Sequence, residues 1–221
     1  MQLFTMIPSQ KSRATSLVRL DFKSNVIIQG YLLLANAVRM NQDQLVTQQT
    51  LHWIRSFVVE YNICPFAKQV VNQGSLAIQV IHATESEAML EALRRAFCLL
   101  DEDKRIETIL LVFPSSLPDF FDYLDFADRA ERFLYTLGYE GIYQLATFHP
   151  HYCFAGVDFA DVSNYTNRSP YPMLHLLREA SIEKAIEYYG DTDQIPENNI
   201  ATLHQLGLDK VKNLLRGILD L

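Results

Sequence analysis

The 221 residues are 49% hydrophobic and 20% charged, which supplies a sizeable core and excludes a disordered or collagen-like chain. A formal net charge of -7 and a pI of about 5.3 argue against a nucleic-acid groove, which needs surplus Lys and Arg to displace counterions. Cys64, Cys98 and Cys153 are odd in number and lack paired spacing, so a reducing, cytoplasmic setting is expected, and no apolar run reaches the roughly 18 residues of a membrane helix.

Residues 1–39 form a separate basic extension in which Lys11, Arg13, Arg19, Lys23 and Arg39 stand against Asp21 alone. The apolar run Val26 to Val38, which includes Ala35-Asn36-Ala37, invites a targeting-segment reading. Its interruption by Gln29 and Gly30 favours the alternative, an upstream start with Met40 as the natural one. Residues 40–221 then read as a single α/β domain.

Trp53, Ile54, Phe57, Val58 and Tyr61 recur at helical spacing and predict a helix over 47–61. Pro65 pushes Cys64 out of the α region and suits a first helical position, so a short helix with Cys64 as its N-cap is expected, stopped by Gly74. Leu76 to His82 alternates like a strand, and Thr84 with Glu87 three residues on reads as a capping box for the helix that follows, to about Asp101. Thr108 to Phe113 is a strand buried on both faces, a long helix opens at Ser116 or Pro118 and closes at Gly138, and Ile142 to Phe148 is a third strand. The alternation predicts successive βαβ units: a mainly parallel sheet of three or more strands covered by helices. After a polar loop, Pro170 to about Tyr189 is expected as one or two helices. A helical pair from Ile200, broken near Gly207, forms a C-terminal extension.

Candidate chemistry concentrates between Thr147 and Ser181. His149 follows the third strand directly, at the carboxyl edge where open α/β sheets receive ligands, and is the expected general acid or base. Cys64 at a helix N-terminus, with Lys68 one turn on, would favour its thiolate and is the candidate nucleophile, although it equally fits a buried face. Asn164, Asn167, Arg168 and Ser169 ahead of a helix at Pro170 would seat a small phosphate or carboxylate; alternatively they pin the loop, with Arg168 paired to Asp158 or Asp161. His175 and Arg178, one helical turn apart, would face the same crevice. His149, His151 and Cys153 in alternate positions could line a metal, but no carboxylate pair completes a signature. Asp119, Asp122, Asp125 and Asp128 recur every three residues and read as a solvated helix face rather than a cation site.

The runs Cys64-Pro65-Phe66-Ala67-Lys68, Phe148-His149-Pro150, Phe154-Ala155-Gly156 and Asn164 to Glu179 resemble the family catalogued as domain of unknown function 1415, over about Leu51 to Tyr189. The resemblance brings no activity to transfer. It implies that Cys64, His149, Asn164, Asn167 and Arg168 lie in family-typical segments, whereas His151 and Cys153 stand where the family usually has Asp and a non-thiol residue, which weakens the metal row. The expected function is therefore an enzyme acting on a small anionic substrate through Cys64 and His149. The alternatives are a non-catalytic ligand- or partner-binding module, or a His/Cys metal protein.

Overall fold

A computed structural model describes residues 22–190 and 192–220; the readings placed on residues 1–21 lie outside them. The chain divides into two units at Asn41/Gln42. The first contributes the start of helix α1 (Phe22–Trp53). Among the described residues no helix is long and apolar enough to cross a membrane.

The second unit carries the sheet. Its elements run from a π-helical segment (Ile54–Val59) through α2 (Ala67–Gln73), β1 (Leu76–Val80), α3 (Ser86–Glu102), β2 (Thr108–Val112), α4 (Phe120–Thr136) and β3 (Tyr143–Phe148). A 3-10 turn (Val162–Thr166), β4 (Met173–Arg178), α5 (Glu179–Tyr189), α6 (Ile195–Leu206) and α7 (Leu208–Leu219) complete it. Trp53, Ile54, Phe57 and Val58 are buried, as their spacing predicts. The helix widens to π geometry there, and the chain leaves it in a turn with Asn62 left-handed (φ 54). Helix α3 starts at Ser86 with Glu85 as N-cap, so the Thr84 capping box does not form. Asp119, not Ser116 or Pro118, caps α4, accepting from the amides of Phe121 and Asp122.

The sheet order is β1-β2-β4-β3. β1 and β2 are parallel, while β4 is antiparallel to both β2 and β3. The three strands read from the sequence therefore share one direction, and a fourth, opposed strand sits between the second and third, making the sheet mixed rather than mainly parallel. That strand overturns the expected helix at Pro170. Met173, Leu174 and Leu176 are each fully buried, on both faces of the sheet. A strand buried on both faces reads as an unbroken apolar run, which periodicity cannot tell from a buried helix turn. The prolines at 170 and 172 precede the strand, and the Pro172 carbonyl accepts from Phe113 N at 2.9 Å to extend the ladder.

Alternation along β2 and β4 splits the interior in two. Ile109, Leu111, Leu174 and Leu176 join Leu93, Phe97, Tyr123 and Leu134 on the face covered by α3 and α4. Leu110, Val112 and Met173 join Trp53, Phe57, Val211 and Ile218 on the other. Each fully buried Leu or Phe contributes about 1.5–3 kcal/mol relative to exposure. The C-terminal helices are thus part of the second core rather than an appendage. Asn199 of α6 also donates to the Ile63 carbonyl at 2.9 Å, and Gly207 (φ 79) makes the sharp break between α6 and α7.

Candidate functional site

Because β1, β2 and β3 run the same way, the loops after them open on one edge of the sheet: residues 81–85, 113–119 and 149–161. His149 lies there, fully buried, with its ring 5.3 Å from that of Phe120 and 5.0 Å from that of Tyr123. Its Nε2 is 3.0 Å from the Leu117 carbonyl, and its Nδ1 accepts from His151 N at 3.0 Å. A carbonyl only accepts and a backbone amide only donates, so the ring is the neutral Nε2–H tautomer with both nitrogens occupied. Burial keeps its pKa below the ordinary histidine value. The carbonyl it holds belongs to Leu117 at φ 58, a left-handed conformation that a bulky residue adopts only when its surroundings impose it.

The expected anion seat is occupied by the protein's own backbone. Arg168, 5% exposed, donates from Nε to the Tyr152 carbonyl at 3.0 Å and from Nη2 to the Phe159 carbonyl at 2.7 Å. Its guanidinium lies 4.6 Å from the rings of both Phe159 and Tyr165. Asn164 accepts from Phe154 N at 3.0 Å and donates to the carbonyls of Asp158 and Asp161 at 2.8 and 3.1 Å. Asn167 donates to the Thr147 carbonyl and accepts from His149 N, while the Ser169 hydroxyl donates to the Tyr171 carbonyl at 2.6 Å. A strand, Met173–Arg178, follows Pro172 in place of the expected helix, so the helix N-terminus expected to seat an anion here is not formed. These residues fasten the 149–167 loop, and Arg168 is held by carbonyls and rings rather than by Asp158 or Asp161.

His175 and Arg178 part company because strand residues three apart face opposite sides. His175 Nε2 lies 2.7 Å from the Thr108 hydroxyl, which itself donates to the Leu176 carbonyl, and burial pushes the imidazole down to about 4. Arg178 reaches the carbonyls of Leu100 and Ile106 at the far edge. Cys64 sits in the turn before α2, whose N-cap is Phe66, and its side chain packs in the cluster with Trp53 and Phe57. Burial pushes its thiol up, outweighing the backbone amides of Phe66 and Ala67 that pull it down. His149 packs against Phe120 and Tyr123 of α4, whereas Cys64 packs in the other core cluster. Lys68 is exposed on α2. His151 is exposed, the Cys153 thiol turns to the Val157 carbonyl, and among the described residues no group of three or more His, Cys, Asp and Glu could hold a metal ion.

Residues 45–213 match a family model described as protein of unknown function, DUF1415. The chain belongs to that family. No curated protein and no solved structure matches it. The match extends past the resemblance read from the sequence, through α6 and into α7, the helices that close the second core.

In this DUF1415 chain the carboxyl edge also holds a cleft of about 210 Å³ that spacing did not single out. Ser86 and Met89 of α3 form one wall, Asp122, Asp125 and Phe126 of α4 the other, and Leu117 lies between them. Ser86 Oγ is buried without a hydrogen-bond partner. Arg129 at the rim donates to Glu87 at 3.0 Å, and the Glu87 carboxyl is held below its usual range by its own backbone amide and then by Arg129. The available signal was the edge rule itself, which applies to the loops after β1 and β2 as much as to the one after β3.

Proposed function

We propose that the chain is a small-ligand-binding module whose ligand enters the cleft between the start of α3 and α4. The observation that carries this reading is the cleft's place beyond the carboxyl ends of the parallel pair β1 and β2, lined by Thr84, Ser86, Leu117, Asp122 and Asp125. At about 210 Å³ it falls below the roughly 300–1,000 Å³ of drug-sized sites, so the ligand is small. The reading of an enzyme acting on a small anion through Cys64 and His149 draws less support. Its thiol is desolvated, its imidazole has neither a free lone pair nor a free proton, and the two occupy opposite faces.

A fragment screen by two-dimensional amide NMR on the full chain tests the proposal. Hits are expected to shift the amides of residues 84–89 and 117–129 and to be lost in Asp125→Trp, which fills the cleft from an exposed position. Hits that cluster elsewhere, or that survive Asp125→Trp and Ser86→Phe alike, overturn it.

A further inference from the structure

Of the three imidazoles in the loops at the carboxyl edge, one offers a ring nitrogen while a carboxylate orients it from the other side. We infer that Asp43 and His82 form a proton-transfer dyad in which His82 is a general base, acting on water or on a ligand hydroxyl at this edge; the inference stands apart from the cleft. His82 follows β1, and the bond of 2.8 Å from Ile81 N to the Val112 carbonyl fixes the chain just before it. Leu76, Ile78 and Val80 of β1 pack in the second core, so the alternation turns His82 to the same side, where its Nε2 lies 2.5 Å from the Asp43 carboxylate of α1. A carboxylate only accepts, so in the neutral ring Nε2 carries the proton and Nδ1 the lone pair. Nδ1 makes no hydrogen bond among the described residues and is not one of the buried unpaired atoms, and the side chain keeps 16% of its surface exposed, so that lone pair meets solvent. Asp43 stands on an equally fixed support. Val46, Thr50 and Trp53 are buried along the next turns of α1, and Gln49 is tied at both ends, donating to the Leu219 carbonyl at 2.9 Å and accepting from the Tyr171 hydroxyl. A carboxylate so placed holds the imidazole in one tautomer and stabilises the imidazolium that forms when the open nitrogen takes a proton. The other imidazoles lack this arrangement. His149 has both nitrogens occupied, and His151 is exposed with no carboxylate paired to it among the described residues. His204, on α6, lies 3.7 Å from Asp161, beyond hydrogen-bond reach.

Two measurements on the full chain test this without a known substrate. Diethyl pyrocarbonate acylates an imidazole through its lone pair, and mass spectrometry of the wild-type protein is expected to find His82 modified several-fold faster than the exposed His52. In hydrolysis of p-nitrophenyl acetate, His82 Nδ1 takes a proton from water as the water oxygen bonds to the acyl carbon. The bond to the p-nitrophenolate oxygen breaks, acetic acid leaves, and the imidazolium returns its proton to solvent. Initial rates are expected to fall at least about tenfold in His82→Gln and in Asp43→Asn, and to stay at the wild-type level in His52→Gln and His204→Gln, with thermal melts showing all four variants folded. The imidazole nitrogen NMR spectrum separates positioning by Asp43 from a merely structural contact: wild type is expected to hold the Nε2–H tautomer of His82, and Asp43→Asn to give a mixture. Labelling of His82 no faster than of His52, or a hydrolysis rate in His82→Gln equal to that in His52→Gln, overturns the dyad. Unchanged hydrolysis in Asp43→Asn overturns it as well and leaves an ordinary ion pair between α1 and the loop after β1.

Discussion

Replacing Arg168 by Ala asks whether the guanidinium is a structural clamp or an anion receptor. In the structure it makes two charge-assisted bonds to backbone carbonyls, at 3.0 and 2.7 Å, and lies between two aromatic rings at 4.6 Å. Each bond contributes about 1.5 kcal/mol or more, and truncation strands the Tyr152 and Phe159 carbonyls. Each cation–π contact adds about 0.5–1 kcal/mol, the one with the half-exposed Phe159 at the low end. Arg168→Ala should therefore cost about 4–5 kcal/mol, lowering Tm by about 10–15 °C for a domain of this size. Arg168→Lys should recover little of this, since a single ammonium cannot span both carbonyls. Urea unfolding with a common slope for wild type and variant measures the loss. A cost under about 1 kcal/mol, accompanied by loss of phosphate or carboxylate binding, would refute the clamp and restore the anion seat.

Three further outcomes follow from the same geometry. His175 has a folded pKa of about 4 against about 6.5 unfolded, so the unfolded chain binds the proton first; stability is complete above pH 6.5 and falls by up to about 3 kcal/mol as pH drops towards 4. Denaturant midpoints measured from pH 7.5 to 4 should show that slope in wild type and a flatter one in His175→Gln; identical slopes would contradict the assignment. Iodoacetamide at pH 7 should modify Cys64 far more slowly than an unstructured thiol, with the rate climbing only above the ordinary thiol pKa, and rapid labelling at neutral pH would revive the nucleophile. Asp119→Ala removes the acceptor for Phe121 N at 2.8 Å and Asp122 N at 3.2 Å and should cost about 1 kcal/mol by urea unfolding, whereas Asp128→Ala, exposed farther along the same helix, should change stability little.

Of the site, the sequence disclosed the neighbourhood but not the roles. His149 does stand at the carboxyl edge, because the strand before it is legible and the edge rule is topological. Whether an imidazole there is free or saturated depends on Leu117, 32 residues earlier, turning its carbonyl inward. In the sequence Asn164, Asn167 and Arg168 read equally as a seat or a clamp; in the structure Asn167 and Arg168 donate to the carbonyls of Thr147, Tyr152 and Phe159, contacts that no local pattern announces. The cleft is not legible in the sequence, since its walls, Ser86 and Asp122, come from different helices and share no motif.

Taken alone, the order of residues determined where β1, β2 and β3 lie and the break at Gly207, since each is written in a local period or a single backbone preference. It could not decide that Met173–Arg178 is a strand. A short, largely apolar segment such as MLHLLR is equally content in a helix, and it is extended here because the gap between β2 and β3 leaves ladder groups on both sides that only an opposed strand can pair. Nor could it decide that Cys64 and His149 part, because the side of a sheet on which a residue packs is a property of the assembled layers rather than of the residue's neighbours in the chain.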